Sequence, residues 1–455
     1  MSDKGNPQKK ILFRLTPAQM IPIGFALLIL LGGCLLTLPI ASRSGISCGF
    51  RPALFTATSA TCVTGLVLFD TWSQWSAFGQ AVILSLIEIG GLGFMAVASL
   101  GVFILGKKAG LRQRLLMAQA WSVEEMAEVT RIQKWVIFGS IAVQLAGAVV
   151  LFFCFLPDYG TKNAATWAVF HAISAFCNAG FDITGSIAPG ANMLVFNQNP
   201  LVCLTLMALV VIGGLGFFVW KEIATVRSIR KFSVYTKLVL LTTLILIVGG
   251  GVLICLLEWN NPNTLGQMET PYKILNGFFQ SVTVRTAGFA TVDQAALTDG
   301  GKAVSIFLML IGGSSGSTAG GVKTVTFVVV ALFLISRARG RNRVTVFKRT
   351  VPQEKILDAV TIIGLVVSLA LAGTLFITAT SPVGFTDALF EAVSALATVG
   401  LTANVTAYLS VPAQWMIILF MYFGRVGIMT LSLGFLMGDK AENRFRYADT
   451  NLLIG

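Results

Sequence analysis

RPALFTATSATCVTGLVLFD at 51–70, WAVFHAISAFCNAGFDITG at 167–185, GFFQSVTVRTAGFATVD at 277–293 and DALFEAVSALATVGLTAN at 387–404 share one pattern. In each, a phenylalanine stands ten residues before a glycine: Phe55 and Gly65, Phe170 and Gly180, Phe278 and Gly288, Phe390 and Gly400. Leu66, Phe181, Phe289 or Leu401 follows the glycine. Spacings of 115, 108 and 112 residues between the glycines leave room for one apolar span on each side of a short segment. A looser echo comes later in each repeat, where GGLG at Gly90, GGLG at Gly213, GG at Gly312 and GRVG at Gly424 trail the four glycines by 25, 33, 24 and 24 residues. Small residues that let membrane helices pack closely explain these later groups well, but not four glycines at one offset from an aromatic.

Outward from these segments the chain is apolar. Of 455 residues 55% are hydrophobic and 12% charged, too little charge to cover a water-soluble protein of this size. Stretches near 18–40, 76–105, 132–156, 200–219, 236–257, 302–336, 356–379 and 411–437 are each apolar enough for a membrane span of roughly 20 residues. The first is too long for a cleaved signal peptide. A net charge of +13 raises the question of nucleic acid, but 25 of the 33 basic residues fall in five segments on one side of an eight-span chain. Those segments are Lys4–Arg14, Lys107–Lys134, Lys221–Lys237, Arg337–Lys355 and Lys440–Arg446. The positive-inside bias makes that side the cytoplasm, with both termini there, and accounts for the charge without a nucleic-acid partner.

The four glycine segments are too short to cross a bilayer, and irregular backbone at membrane depth survives only inside protein or along a watery cavity. Each reads as a helix of two to three turns that stops at an extended glycine-containing stretch. Four around one axis make a pore in which helix C-termini and backbone carbonyls face a cation. The expected fold is therefore an all-α polytopic membrane protein of four tandem membrane-helix/pore-helix/membrane-helix repeats around one pore. Its divisions are a cytoplasmic segment 1–17, repeats at 18–114, 115–231, 232–350 and 351–438, and a cytoplasmic tail 439–455.

These filter segments, with GGSSGSTAGGVKT at 312–324 and GRVGIMTLS at 424–432, resemble the superfamily of Trk, Ktr and HKT potassium transport proteins over nearly the whole chain. The Trk branch usually carries a further N-terminal pair of spans, so the resemblance is nearest to the membrane subunit of bacterial Ktr uptake systems. It implies a homodimer with one pore per protomer in the bacterial inner membrane, and potassium as the cargo. A serine at the first filter position accompanies sodium transport in the family, whereas Gly65 stands there in this chain. Sodium coupling or activation stays open, and no organic cofactor is implied. Carried over residue by residue, the ion-lining carbonyls belong to Cys62, Val63, Thr64 and Gly65; Cys177, Asn178, Ala179 and Gly180; Arg285, Thr286, Ala287 and Gly288; and Ala397, Thr398, Val399 and Gly400.

The sixth apolar stretch is interrupted by Gly312, Gly313, Ser314, Ser315, Gly316, Ser317, Thr318, Ala319, Gly320 and Gly321, a run that cannot hold a lipid-facing helix. In the family it is an intramembrane gate beneath the filter. It lacks the GxxxxGK[ST] spacing of a phosphate loop. Arg425 falls at comparable depth, fit either to hold this loop or to raise a positive barrier. Asp70, Asp182 and Asp293 follow three filters, as a funnel for cations or as plain loop carboxylates. Glu88 and Glu391 need partners inside the membrane, Arg285 being the expected one for Glu391, and Asp387 reads as the N-cap of the fourth short helix. The seven scattered cysteines and the lone His171 read as packing residues.

No nucleophile, metal or acid/base cluster supports an enzyme, and four parallel repeats suit a pore better than the two inverted halves of a rocking symporter. A sodium/potassium symporter or a less selective cation transporter is the alternative. The longest connecting segments are too short to fold as a ligand-binding domain, so control is expected from outside the chain. The resemblance supplies a cytosolic ring of nucleotide-binding regulatory subunits. Its docking surface is expected on Lys107–Arg114, Arg227–Lys237 and Arg337–Lys355, segments that anionic membrane lipids also suit.

Overall fold

A computed structural model describes residues 17–93 and 129–427. The expected terminal segments, Lys107–Arg114 and the end of GRVGIMTLS lie outside these residues. The regular elements of the described residues are helices, apart from one short hairpin. Helices α1 (Pro17–Thr37), α2 (Phe50–Thr61), α3 (Thr71–Gln74) and α4 (Ala77–Leu92) come first. They are followed by α5 (Val129–Phe176), α6 (Pro200–Leu215) and α7 (Phe217–Thr225). Then come α8 (Val234–Glu258), α9 (Thr270–Thr283), α10 (Asp299–Leu310) and α11 (Thr324–Ala338). A two-stranded hairpin, β1 (Thr345–Val346) and β2 (Arg349–Thr350), leads to α12 (Gln353–Thr380), α13 (Phe385–Leu396) and α14 (Val411–Val426).

Gln19–Thr37, Trp135–Phe176, Val234–Glu258 and Gln353–Thr380 are long and apolar enough to cross a membrane, and α6 with α7 adds a fifth candidate bent by 95°. The third apolar stretch and the short segment after it run on as one helix broken at Gly160 (φ 71°), three residues beyond Pro157. Proline removes a helical donor and crowds the preceding turn, which explains why the chain turns here. The short helices α2, α9 and α13 are 12, 14 and 12 residues long, which at about 1.5 Å per residue is well under a bilayer's roughly 30 Å.

Packing follows one rule around the molecule. The long helix of each unit packs on its own short helix, α1 on α2, α8 on α9 and α12 on α13. The helix after the short one packs on the next unit: α4 on α5, α6 on α9, α10 on α13, and α14 back on α2. The last contact closes the circle.

Three of the following helices begin the apolar stretches near 76–105, 200–219 and 411–437. They stop at the trailing glycine group, with Gly93, Gly216 and Gly427 at φ 88°, 90° and 90°. The third group carries a long inserted loop, between α10 and α11. Close packing on the short helices is the physical reason for these groups. A Cβ on Gly90, Gly213 or Gly424 would strike the carbonyl oxygen of Thr61, Phe176 or Leu396, each four residues before a ring glycine.

Two acidic side chains tie neighbouring elements together. Glu258 is fully buried at the end of α8 and accepts from Asn261 Nδ2 (2.7 Å), Thr264 Oγ1 (2.8 Å), Thr298 N (2.9 Å) and Thr298 Oγ1 (2.6 Å), fixing the start of α10. Gly384, not Asp387, caps α13; Asp387 lies in its first turn and meets Lys302 Nζ of α10 at 2.8 Å. Its carboxylate is engaged by that lysine and caps no amide of the helix. Replacing Glu258 with alanine strands the donors of Asn261, Thr264 and Thr298, an expected loss of about 3 kcal/mol. Thermal unfolding of the detergent-solubilised protein checks this; an unchanged Tm would mean that water replaces the carboxylate.

Candidate functional site

The four short helices end four or five residues before their glycines, and the backbone beyond them repeats one conformation. Two residues before each glycine a non-glycine residue adopts positive φ: Val63 (51°), Asn178 (59°), Thr286 (69°) and Thr398 (53°). Gly65, Gly180, Gly288 and Gly400 follow at 100°, 68°, 79° and 92°. A side chain rarely tolerates this region, so four non-glycine residues held there mark a geometry imposed by the surroundings. All sixteen residues from Cys62, Cys177, Arg285 and Ala397 to their glycines are buried.

These glycines form a closed ring. A Cβ on Gly65 would lie 2.6 Å from the carbonyl oxygen of Ala179, on Gly180 2.8 Å from that of Ala287, and on Gly288 2.5 Å from that of Val399. On Gly400 it would strike the carbonyl oxygen of Thr64. Each repeat thus touches the next through backbone alone, and only glycine permits that approach. The oxygens of Thr64, Ala179, Ala287 and Val399 accordingly lie beside the ring.

Amide donors are used up on the other side. Thr64 N, Ala179 N and Val399 N each donate at 2.8 Å to the carbonyls of Ser59, Ser174 and Ser394, and Ala287 N donates to Thr283 O at 2.9 Å. The hydroxyls of Ser59 and Ser394 accept from Gly65 N (3.0 Å) and Gly400 N (3.1 Å). Ser174 and Thr283 donate instead to the carbonyls of Phe181 (2.8 Å) and Phe289 (2.6 Å). With N–H groups bonded back to the helices, the carbonyl groups remain for a ligand. The hydroxyl residues escaped the sequence reading, although a serine six residues before the glycine in three repeats signals them.

Beneath the ring, the 312–321 segment plugs broken helix ends. The last carbonyls of a helix have no partner within it. At the end of α6, Ser314 N donates to Gly214 O (3.1 Å), Thr318 N to Gly213 O (3.3 Å), and Ser314 Oγ to Leu215 O. Thr318 Oγ1 reaches Phe176 O at 3.0 Å. Gly320 packs so closely on Thr398 that a Cβ there would overlap its hydroxyl, which places the segment directly under the fourth glycine stretch. Arg425 donates to Thr318 O, Gly90 O and, at 3.0 Å, Gly91 O, joining the segment to the end of α4. Of the two roles open to Arg425, the hydrogen bonds account for the holding one. Lys323, missed from sequence, adds a second cation here and donates to Ala319 O at 2.7 Å.

The expected pair of Arg285 and Glu391 does not form. Glu391 accepts from the Thr406 hydroxyl, whereas Arg285 lines a small cavity with Asn178, Gly214, Thr243 and Gly313. The reason is depth: Glu391 stands nine residues before its glycine and Arg285 only three. Glu88 bonds Gln144 Nε2 (2.9 Å) and Cys177 Sγ (3.4 Å), fastening α4 to the second glycine segment. His171 is fully buried; its Nε2 accepts from Ile183 N (3.4 Å), so Nδ1 donates to Trp167 O (2.7 Å). It supports the backbone past Gly180.

Above the ring the loops are stapled from repeat to repeat. Asp70 accepts from Gly190 N (3.1 Å), Asn192 from Ala290 N (3.3 Å) and Asp293 from Asn404 Nδ2 (3.1 Å). Asp70 also caps α3 through Ser73 N (2.8 Å), and Asp182 accepts from Thr184 Oγ1 (2.8 Å). These carboxylates hold loops in place as well as bringing negative charge to this end.

The solved structure of the potassium transporter TrkH from Vibrio parahaemolyticus shares this fold, with a TM-score of 0.71 over 96% of this chain and 86% of that one at 19% identity. The potassium/sodium uptake protein NtpJ of Enterococcus hirae is 38% identical over 98% of this chain and 99% of its own length. The Ktr system potassium uptake protein B of Bacillus subtilis is 38% identical over 97% of each chain, and that of Vibrio alginolyticus 36% identical over 96% of this chain and 94% of its own. Residues 17–445 match the TrkH cation transport protein family, and the chain belongs to that family.

Proposed function

We propose that this multi-pass membrane protein takes up potassium across the bacterial inner membrane through a channel-like pore lined by the four glycine segments. The observation that carries the reading is the ring of backbone contacts from Gly65 through Gly180 and Gly288 to Gly400, with a carbonyl oxygen at every junction. A ring of carbonyl dipoles replaces the hydration shell of a monovalent cation, and helices ending at the ring aim partial negative charge at it. The relatives' names supply the ion, potassium in the Ktr proteins and potassium with sodium in the Enterococcus hirae protein. The latter name favours a second reading, a less selective transporter or one coupled to sodium.

In this proposal the chain crosses the membrane eight times in four repeats at 18–114, 115–231, 232–350 and 351–438. The 312–321 segment is the gate, held closed by the helix ends it caps and by Arg425. Two such chains form a homodimer with separate pores, controlled by a cytosolic nucleotide-binding ring on the basic cytoplasmic face. A Ktr system is a multi-subunit arrangement by its name, and a movable gate needs a partner that binds its states with different affinity.

Uptake of labelled potassium into proteoliposomes, with and without sodium, tests the function. Gly65→Ser is expected to lower the preference for potassium over sodium about tenfold, or roughly 1.4 kcal/mol, because the added Cβ meets Ala179 O. Unchanged preference in the folded variant would remove the ring from selectivity. Deleting 313–320 is expected to raise potassium flux, and a folded deletion variant no faster than the parent would end the gate assignment. Reversing the charge of Arg337, Arg339, Arg341 and Arg343 together is expected to abolish pull-down of the regulatory ring while membrane orientation is kept. Full binding by a correctly oriented variant would leave these arginines as topology signals.

A further inference from the structure

Sequence reading singled out Arg425 at the gate, yet α7 and the first turn of α8 grip the same segment from the other side. After Gly216 the chain turns by 95°, and Phe217 N donates to Gly316 O at 2.9 Å. Phe218 lies against Gly316, where a Cβ would come within 3.0 Å of its ring and where φ is 70°. From the start of α8, Tyr235 Oη donates to Ser315 O at 2.9 Å. Two consecutive carbonyls of the segment are therefore held by one elbow.

The elbow is itself braced. Glu222 of α7 accepts from Ser233 N (2.5 Å), Ser233 Oγ (2.7 Å) and the Thr236 hydroxyl, so the turn that carries Tyr235 moves with α7. Lys237 Nζ closes the same turn on Arg230 O at 2.7 Å. Between these clamps run Arg227, Ile229, Arg230 and Lys231, all exposed, with Ile229 showing 73% of its surface. A charged and apolar exposed turn is thus coupled to a hydrogen bond on Ser315.

We infer that Tyr235 is a positioning residue that latches the 312–321 segment, and that the 217–237 elbow transmits a load on its exposed basic turn to that segment. This deepens the gate reading and rests on it. Pulling Arg227–Lys231 away from the membrane would draw Tyr235 and Phe217 off the carbonyls of Ser315 and Gly316 together. The helix-end bonds of Ser314 and Thr318, Arg425, and the bonds of Thr324 to the carbonyls of Gly312 and Gly313 would then retain the segment without the elbow. Tyr235→Phe removes the hydroxyl and keeps the ring, so packing is conserved.

The test uses the full chain in proteoliposomes without any regulator, with hydrogen exchange of the segment measured by mass spectrometry in parallel. Loss of one uncharged hydrogen bond predicts about a fivefold rise in basal potassium flux in Tyr235→Phe, with faster exchange across 312–321. Glu222→Gln, which weakens the brace and leaves the hydroxyl, should give the same changes to a smaller degree. Unchanged flux and exchange in Tyr235→Phe, with raised flux in the 313–320 deletion, would overturn the latch and leave the gate. A rise in flux without faster exchange would also overturn it. Should the deletion itself conduct no faster, the gate reading fails and the latch falls with it.

Discussion

Four backbones meet in this molecule at distances that exclude a single methyl group. Ala179 O, Ala287 O, Val399 O and Thr64 O occupy the places where Cβ atoms of Gly65, Gly180, Gly288 and Gly400 would point. Every other feature serves that approach. The non-glycine residues two positions earlier are held at positive φ, and the amides between are bonded to the serines and threonines of the short helices. The glycines behind the ring let the following helices press against the short helices' last carbonyls. The contact order, each unit on the next and the last on the first, prevents one segment from shifting without its neighbours.

Close approach has a cost one layer lower, because helices that stop within the membrane leave carbonyls unbonded where no lipid can serve them. The chain meets this with its own polar groups. Ser314, Thr318 and Arg425 supply donors to the ends of α6 and α4, and Trp220 Nε1 adds one to Ile212 O at 2.8 Å. The 312–321 segment is consequently a cap for the framework of the ring.

Among the described residues, Glu258, Glu88 and Glu391 fasten neighbouring pieces. Glu258 joins α8 to α10, Glu88 joins α4 to the foot of the second segment, and Glu391 steadies the loop after its own glycine through Thr406. Asp387 meets Lys302 across two repeats. This division leaves the ring to uncharged backbone carbonyls.

Sequence alone determined that the chain is built for a membrane, since too few charges are available to solvate 455 residues. It also determined the four glycines, because backbone contact at a shared axis demands the same residue at the same offset in each repeat. The interruption at 312–321 was legible for a similar reason, ten small residues being unable to sustain a helix. Tertiary structure decided what meets what. The endings at Gly93, Gly216 and Gly427 look in sequence like ordinary packing glycines, because positive φ leaves no mark beyond the residue that permits it. Glu391 and Arg285 carry opposite charges, but charge says nothing of depth, and depth sets Glu391 on Thr406. Tyr235 and Ser315 are eighty residues apart, a pairing that no local pattern encodes and that only the turn at Gly216 and the packing of α7 on α8 bring together.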